Sequence, residues 1–313
     1  MNTLFEHTSA SWVRYSNYEW KECGGILYLL PTADAQPRPY DPMKTAETLV
    51  MDAMDIGLLC FQKKPDTEIQ AAILEFACKY GLLGIMTALP TTAKFVEYEK
   101  VYLPKNELIR EEAMDTMAYL DLFFPFKKPD FIKNGLESSW SEEDRTMIAL
   151  IMTYFGYPQS MVMGFMRNYG ERYDWLKSIF KDWSFTFMTS FLYYEDKDKL
   201  DEESLMLYRK GMAAFDGNAP TYHIELLEKP TLVWDFHSLL LDIKMMFTLM
   251  LTDETRPLRM CKNCQRAFIA ERSNMVFCSS TCRNDYKEKK LKAHLRDWTS
   301  QRCAADISNE FFR

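Results

Sequence analysis

Apolar residues recur at three- and four-residue steps through much of the chain, and those stretches predict helices. The first lies at 42–61, opened by Asp41 as cap and Pro42 at the first helical position. A second is expected at 66–79, stopped by Tyr80-Gly81. After a turn near Pro90, residues 105–122 are helical in pattern until Phe123-Phe124-Pro125-Phe126 breaks them. Further helices are expected at 144–154, 161–168 and 175–194. A long one follows at 231–251, where Leu232, Phe236, Leu239, Ile243, Phe247 and Met250 share a face. Residues 11–31 differ: they alternate irregularly, and the stretch around Gly24-Gly25-Ile26-Leu27-Tyr28 suits a short strand or hairpin. Pro31, Pro37, Pro39 and Pro42 then mark a loop. The charged run at 195–203 reads as a solvated loop or helix end.

Composition sharpens this picture. Glycine is scarce (11 residues) while Met (20), Phe (21) and Tyr (17) abound, which argues against a turn-dense all-β fold and for packed helices. With 47% hydrophobic and 27% charged residues, the 313-residue chain has the make-up of a globular protein. The expected fold class is mostly α: a helical N-terminal body with a short β-hairpin near the start, plus a small C-terminal zinc finger of knuckle, short hairpin and helix. No secretory signal pattern opens the sequence. Residues 147–166 carry no charge, but Thr153, Gly156, Pro158, Gln159 and Ser160 interrupt them, so two short buried helices are expected rather than a membrane span. The expected setting is cytoplasmic, with reduced cysteines and no membrane partner.

The finger is read from four cysteines. Cys261 and Cys264 are spaced as a knuckle that turns both sulfurs toward one metal; Cys278 and Cys282, four apart, fall on one helical face. Phe268 and a Val276-Phe277 strand would cover the metal on either side of a turn at 271–274. Ser279 or Ser280 would cap the helix that follows. Tetrahedral zinc is satisfied by four thiolates, and with no position left for water the site is structural rather than catalytic. The expected cofactor is one structural Zn2+.

Charge divides the chain into an acidic body at 1–255, the finger with its basic helix at 256–302, and a tail at 303–313. The finger segment holds twelve Lys and Arg against four Asp and Glu, net +8; the body carries −14 and the tail −1. Zinc with four thiolates adds about −2 to the finger. Beyond Cys282, Arg283, Lys287 and Lys290 fall with His294 on one helical face, and Lys289, Lys292 and Arg296 form an adjacent row. Leu291, Leu295 and Trp298 make an apolar stripe expected to dock on the finger or body. The cationic rows could track the phosphates of DNA or RNA, or simply cover the solvent face of a terminal helix.

The pattern Cys-x-x-Cys, Phe268, Arg272-Ser273-Asn274, Phe277-Cys278-Ser279-x-x-Cys282-Arg283 resembles treble-clef-like fingers at the C-terminus of bacterial proteins. It is also similar to the CGNR-type zinc finger, but Cys282-Arg283-Asn284-Asp285 stands where that motif has Cys-Gly-Asn-Arg, and the second cysteine pair is closer. Over these 30 or so residues the resemblance implies a finger fold and a nucleic-acid-binding or transcription-regulatory role. The alternative is a protein-interaction or scaffold protein, contacting another protein through the helical body, in which zinc only staples the C-terminus.

No catalytic constellation stands out, and an enzyme whose site lies in the helical body is the third reading, behind the other two. His223 and His237 have no nucleophile elbow or HExxH motif beside them, and no glycine-rich phosphate loop is present. Cys60 and Cys78 sit in apolar helical stretches and read as buried, inert thiols. The aromatic stretch from Tyr173 through Trp175, Phe180, Trp183 and Phe187 to Phe191 reads as core.

Overall fold

The computed structural model describes residues 8–91, 95–128, 166–196, 199–213, 221–226, 230–236, 238–253, 256, 258–272 and 274–292. The chain opens on five strands, β1 (Thr8–Ala10), β2 (Trp12–Tyr15), β3 (Tyr18–Cys23), β4 (Ile26–Pro31) and β5 (Pro37–Tyr40). Helices α1 (Ala46–Phe61), α2 (Asp66–Tyr80) and the single turn α3 (Ile85–Ala88) follow. Next come β6 (Lys100–Tyr102), β7 (Ala113–Asp115), α4 (Thr116–Asp121), β8 (Glu171–Arg172), α5 (Tyr173–Asp196) and α6 (Glu202–Ala213). The body closes with β9 (Thr221–Leu226), β10 (Pro230–Asp235) and α7 (Leu239–Leu251). The finger contributes β11 (Leu258–Met260), β12 (Ala267–Ile269) and a helix α8 at residues 280–292.

The mostly helical expectation is overturned. About 48% of the described structure is helical and about 20% is strand, distributed over small, largely antiparallel sheets. Scarce glycine misled because these strands are short and mostly turn without it. Ser16-Asn17 joins β2 to β3, and Gly24 and Gly25, both at positive φ, close the β3–β4 hairpin. Within the expected proline loop, residues 32–36 are irregular, but Pro37–Tyr40 form β5, which pairs with β2 in a two-stranded sheet where an edge tolerates Pro37 and Pro39.

Two expected helices are partly strand. In 105–122, Asn106 accepts from the Leu108 and Ile109 N–H groups, forming a turn that leads into the β6–β7 pair. Helix begins only at Thr116, where Asp115 accepts from Ala118 N at 3.0 Å. In 231–251, the Thr-Leu-Val-Trp run pairs with β9 and with β1; helix starts at Leu239, capped by Ser238. The helix expected at 144–154, residues 161–165 of the one expected at 161–168, and the tail 303–313 lie outside the described residues.

The core is built where α1 crosses α5. Leu49, Val50, Ala53, Met54, Ile56 and Gly57 of α1 are buried at helical spacing. Trp175, Leu176, Phe180, Trp183 and Phe187 of α5 meet this face, so these aromatics are core. Their fit depends on Gly57, whose place for a Cβ lies 2.2 Å from the Phe180 carbonyl oxygen and 2.0 Å from Ser184 Oγ. The Ser184 hydroxyl instead donates to the Met54 carbonyl at 2.8 Å. Among the described residues no helix is long and apolar enough to cross a membrane.

Candidate metal centre

The finger begins as a backbone device. The β11–β12 hairpin pairs Leu258 with Ile269, and Cys261 N donates to Arg266 O at 2.9 Å just beyond it. Gln265 adopts φ 61° and returns its N–H to Cys261 O at 2.9 Å, which turns the knuckle. Met275 N donates to Arg272 O at 3.0 Å, closing the turn before the second cysteine pair. Val276 and Phe277 form no strand; a single bond from Lys262 N to Val276 O ties this stretch to the knuckle. Ser279 then caps α8, its Oγ accepting from Cys282 N at 3.1 Å.

These turns bring four sulfurs together. The Sγ atoms of Cys261, Cys264, Cys278 and Cys282 all lie within 4.8 Å of one another. Cys264 and Cys278 stand 3.7 Å apart, and Cys278 and Cys282 3.5 Å. Four sulfurs about 2.3 Å from a central tetrahedral ion would be separated by about 3.8 Å, so the spacing suits a metal and is far too long for disulfides. Cys261 is buried, Cys264 and Cys282 are half-buried, and Cys278 is exposed.

Electrostatics point the same way. Burial pushes the Cys261 thiol up, but backbone N–H groups from Cys264, Cys278 and Asn263 outweigh it and bring the pKa down to about 6. Burial, then the sulfurs of Cys282, Cys261 and Cys264, push Cys278 up to about 12. Cys264 is also raised, chiefly by burial. Four thiols this close resist ionising together unless a cation sits among them, which is the condition a divalent metal meets.

Helix α8 leaves the centre with little of its surface covered. Cys282 and Tyr286 are half-buried one turn apart, and Tyr286 packs on Phe277 with ring centroids 5.3 Å apart. Arg283, Lys287, Lys289, Lys290 and Lys292 are all exposed, while Arg296 lies outside the described residues. Lys289 Nζ donates to Asn263 Oδ1 at 2.9 Å, tying the helix to the knuckle, and Lys292 pairs with Glu288 at 3.4 Å. The expected apolar stripe is not docked at Leu291, which is 60% exposed; Leu295 and Trp298 lie outside the described residues.

How the finger meets the body could not be read from local patterning. Arg266 Nε lies 3.5 Å from Asp55 of α1, and Arg256 forks onto Glu47 with the shorter of its two bonds at 2.8 Å. Between these pairs Met260 and Gln265 face Met54, Leu58 and Phe187 across a seam too narrow for a ligand. Elsewhere, Cys60 is buried but Cys78 is exposed, because it faces outward from α2. His237 and Cys303 lie outside the described residues.

No family model matches the chain, and no curated protein or solved structure is similar to it. What the structure supports is a cluster of four cysteines at metal-binding distance, with no relative to assign it to the CGNR type.

Proposed function

We propose that Cys261, Cys264, Cys278 and Cys282 hold one structural Zn2+, and that the finger so stapled presents α8 to DNA or RNA. The observation that carries the reading is the state of that helix. It is fixed at one end by the sulfur cluster and by Tyr286, while Arg283, Lys287 and Lys290 stand free in solvent along it. A cationic rod held at a set angle can neutralise successive phosphates and release their counterions. The closed ligand set assigns no chemistry to the ion: it supplies folding free energy and orientation.

Two measurements test this. Elemental analysis should return about one zinc per chain, and Cys278→Ser should lose it and unfold the finger. A wild type that is folded and metal-free refutes the site. In a salt series with duplex and single-stranded DNA and RNA, affinity should fall steeply as salt rises. Charge removal at Arg283, Lys287 and Lys290 should shallow the logarithmic slope by about one for each phosphate no longer neutralised. Absence of binding at low salt refutes the nucleic-acid role and leaves the alternative, a protein-interaction or scaffold protein in which zinc only staples the C-terminus.

A further inference from the structure

Strand β9 is the outer strand of the β1–β10–β9 sheet, and among the described residues no strand lies beyond it. Three alternate residues on it, Tyr222, Ile224 and Leu226, are 66%, 66% and 80% exposed. They share one face, flanked on β10 by half-buried Leu232 and Trp234; Tyr222 meets Trp234 edge-on at 6.0 Å. A solvated face with this composition is costly, since apolar area left in water forgoes about 25 cal/mol per Å².

The edge of β9 is also open. As the outer strand of its sheet, it has alternate backbone N–H and C=O groups facing away from β10. Edges of this kind are usually blunted by lysine, proline or a bulge, and β9 has none of these.

We propose that β9 pairs antiparallel with β9 of a second copy of this chain, about a twofold axis through Ile224. The strand is complementary to itself in that register alone. Ile224 meets Ile224 of the second copy, Tyr222 meets Leu226, and Leu226 meets Tyr222, so every pair on the exposed face is apolar. Only this axis keeps all three exposed residues paired within the strand: moving it to residue 223 pairs Leu226 with residue 220, and moving it to residue 225 pairs Tyr222 with residue 228. The result is a continuous six-stranded sheet with its apolar face doubled and its open edge removed. Pairing two six-residue strands covers less area than a standard interface, so the dimer dissociates in the micromolar range.

Sedimentation equilibrium of the full chain across a range of loading concentrations tests this. Wild type should pass from monomer to dimer at micromolar concentration, and Ile224→Lys should remain monomeric with an unchanged far-ultraviolet circular dichroism spectrum. The register makes a further demand. Tyr222→Lys and Leu226→Asp should each weaken the dimer at least tenfold, and the double variant should recover it, because each new charge faces its opposite on the second copy. A wild type that stays monomeric overturns the proposal, and so does a dimer indifferent to Ile224→Lys. A double variant no more dimeric than the singles overturns the register.

Discussion

Asp242 is 2% exposed in the first turn of α7, and its Oδ1 has no hydrogen-bond partner among the described residues. Burial, and then the Asp41 carboxylate nearby, hold its pKa well above the usual carboxylate range. The folded state therefore binds this proton more tightly than the unfolded chain does. The stability it confers is complete below about pH 4, the unfolded value, and falls as pH rises toward the folded one. Asp242→Asn should remove that slope and raise stability by about 1–3 kcal/mol at pH 7, read from urea unfolding at a series of pH values. Glu171 is the contrasting case. It too is fully buried and pushed up by burial, yet its carboxylate accepts from Leu83, Gly84 and Ile85 N–H groups and from the Tyr169 hydroxyl. Neither acid was legible in the sequence, because their surroundings come from residues distant along the chain. The four cysteines were legible because a metal site writes its geometry into local spacing.

At the scale of elements, the crossing of α1 and α5 has one permissive point. Gly57→Ala would drive a methyl group into the Phe180 carbonyl, which is backbone and cannot turn aside. It should cost about 1–3 kcal/mol in denaturant unfolding, and Ser184→Ala in the same chain should not restore the loss. Helices with long apolar stripes were readable: α2 runs from Asp66 to Tyr80 and α5 spans Tyr173 to Asp196, close to their expected limits. The failures were physical. Leu232 and Phe236 stand four apart, as on a helix, but Thr231, Val233 and Trp234 prefer extended backbone and two neighbouring strands were available. Which strands were available is a tertiary fact, and no window of local sequence contains it.

At the scale of the molecule, finger and body meet through two charged pairs and a narrow apolar seam. Arg266 is 66% exposed at its pair with Asp55, so that bridge contributes at most about 1 kcal/mol. Stripping the metal with a strong chelator should thus unfold residues 258–292 while lowering the thermal midpoint of the body only slightly. Limited proteolysis should then cut within the finger first, at Lys262 or Arg272, before any site in α1 or α5. A different timescale attaches to the other end of the chain. Strand β1, at residues 8–10, takes its parallel partner from residues 232–234. Nascent chains grow at about 5–20 residues per second, so β1 waits roughly 10–40 s on the ribosome for the strand it needs. During synthesis the body cannot close its sheet progressively from the N-terminus. Strand β1 is left without its partner until β10 clears the exit tunnel, while β2–β5 and β3–β4 find theirs locally.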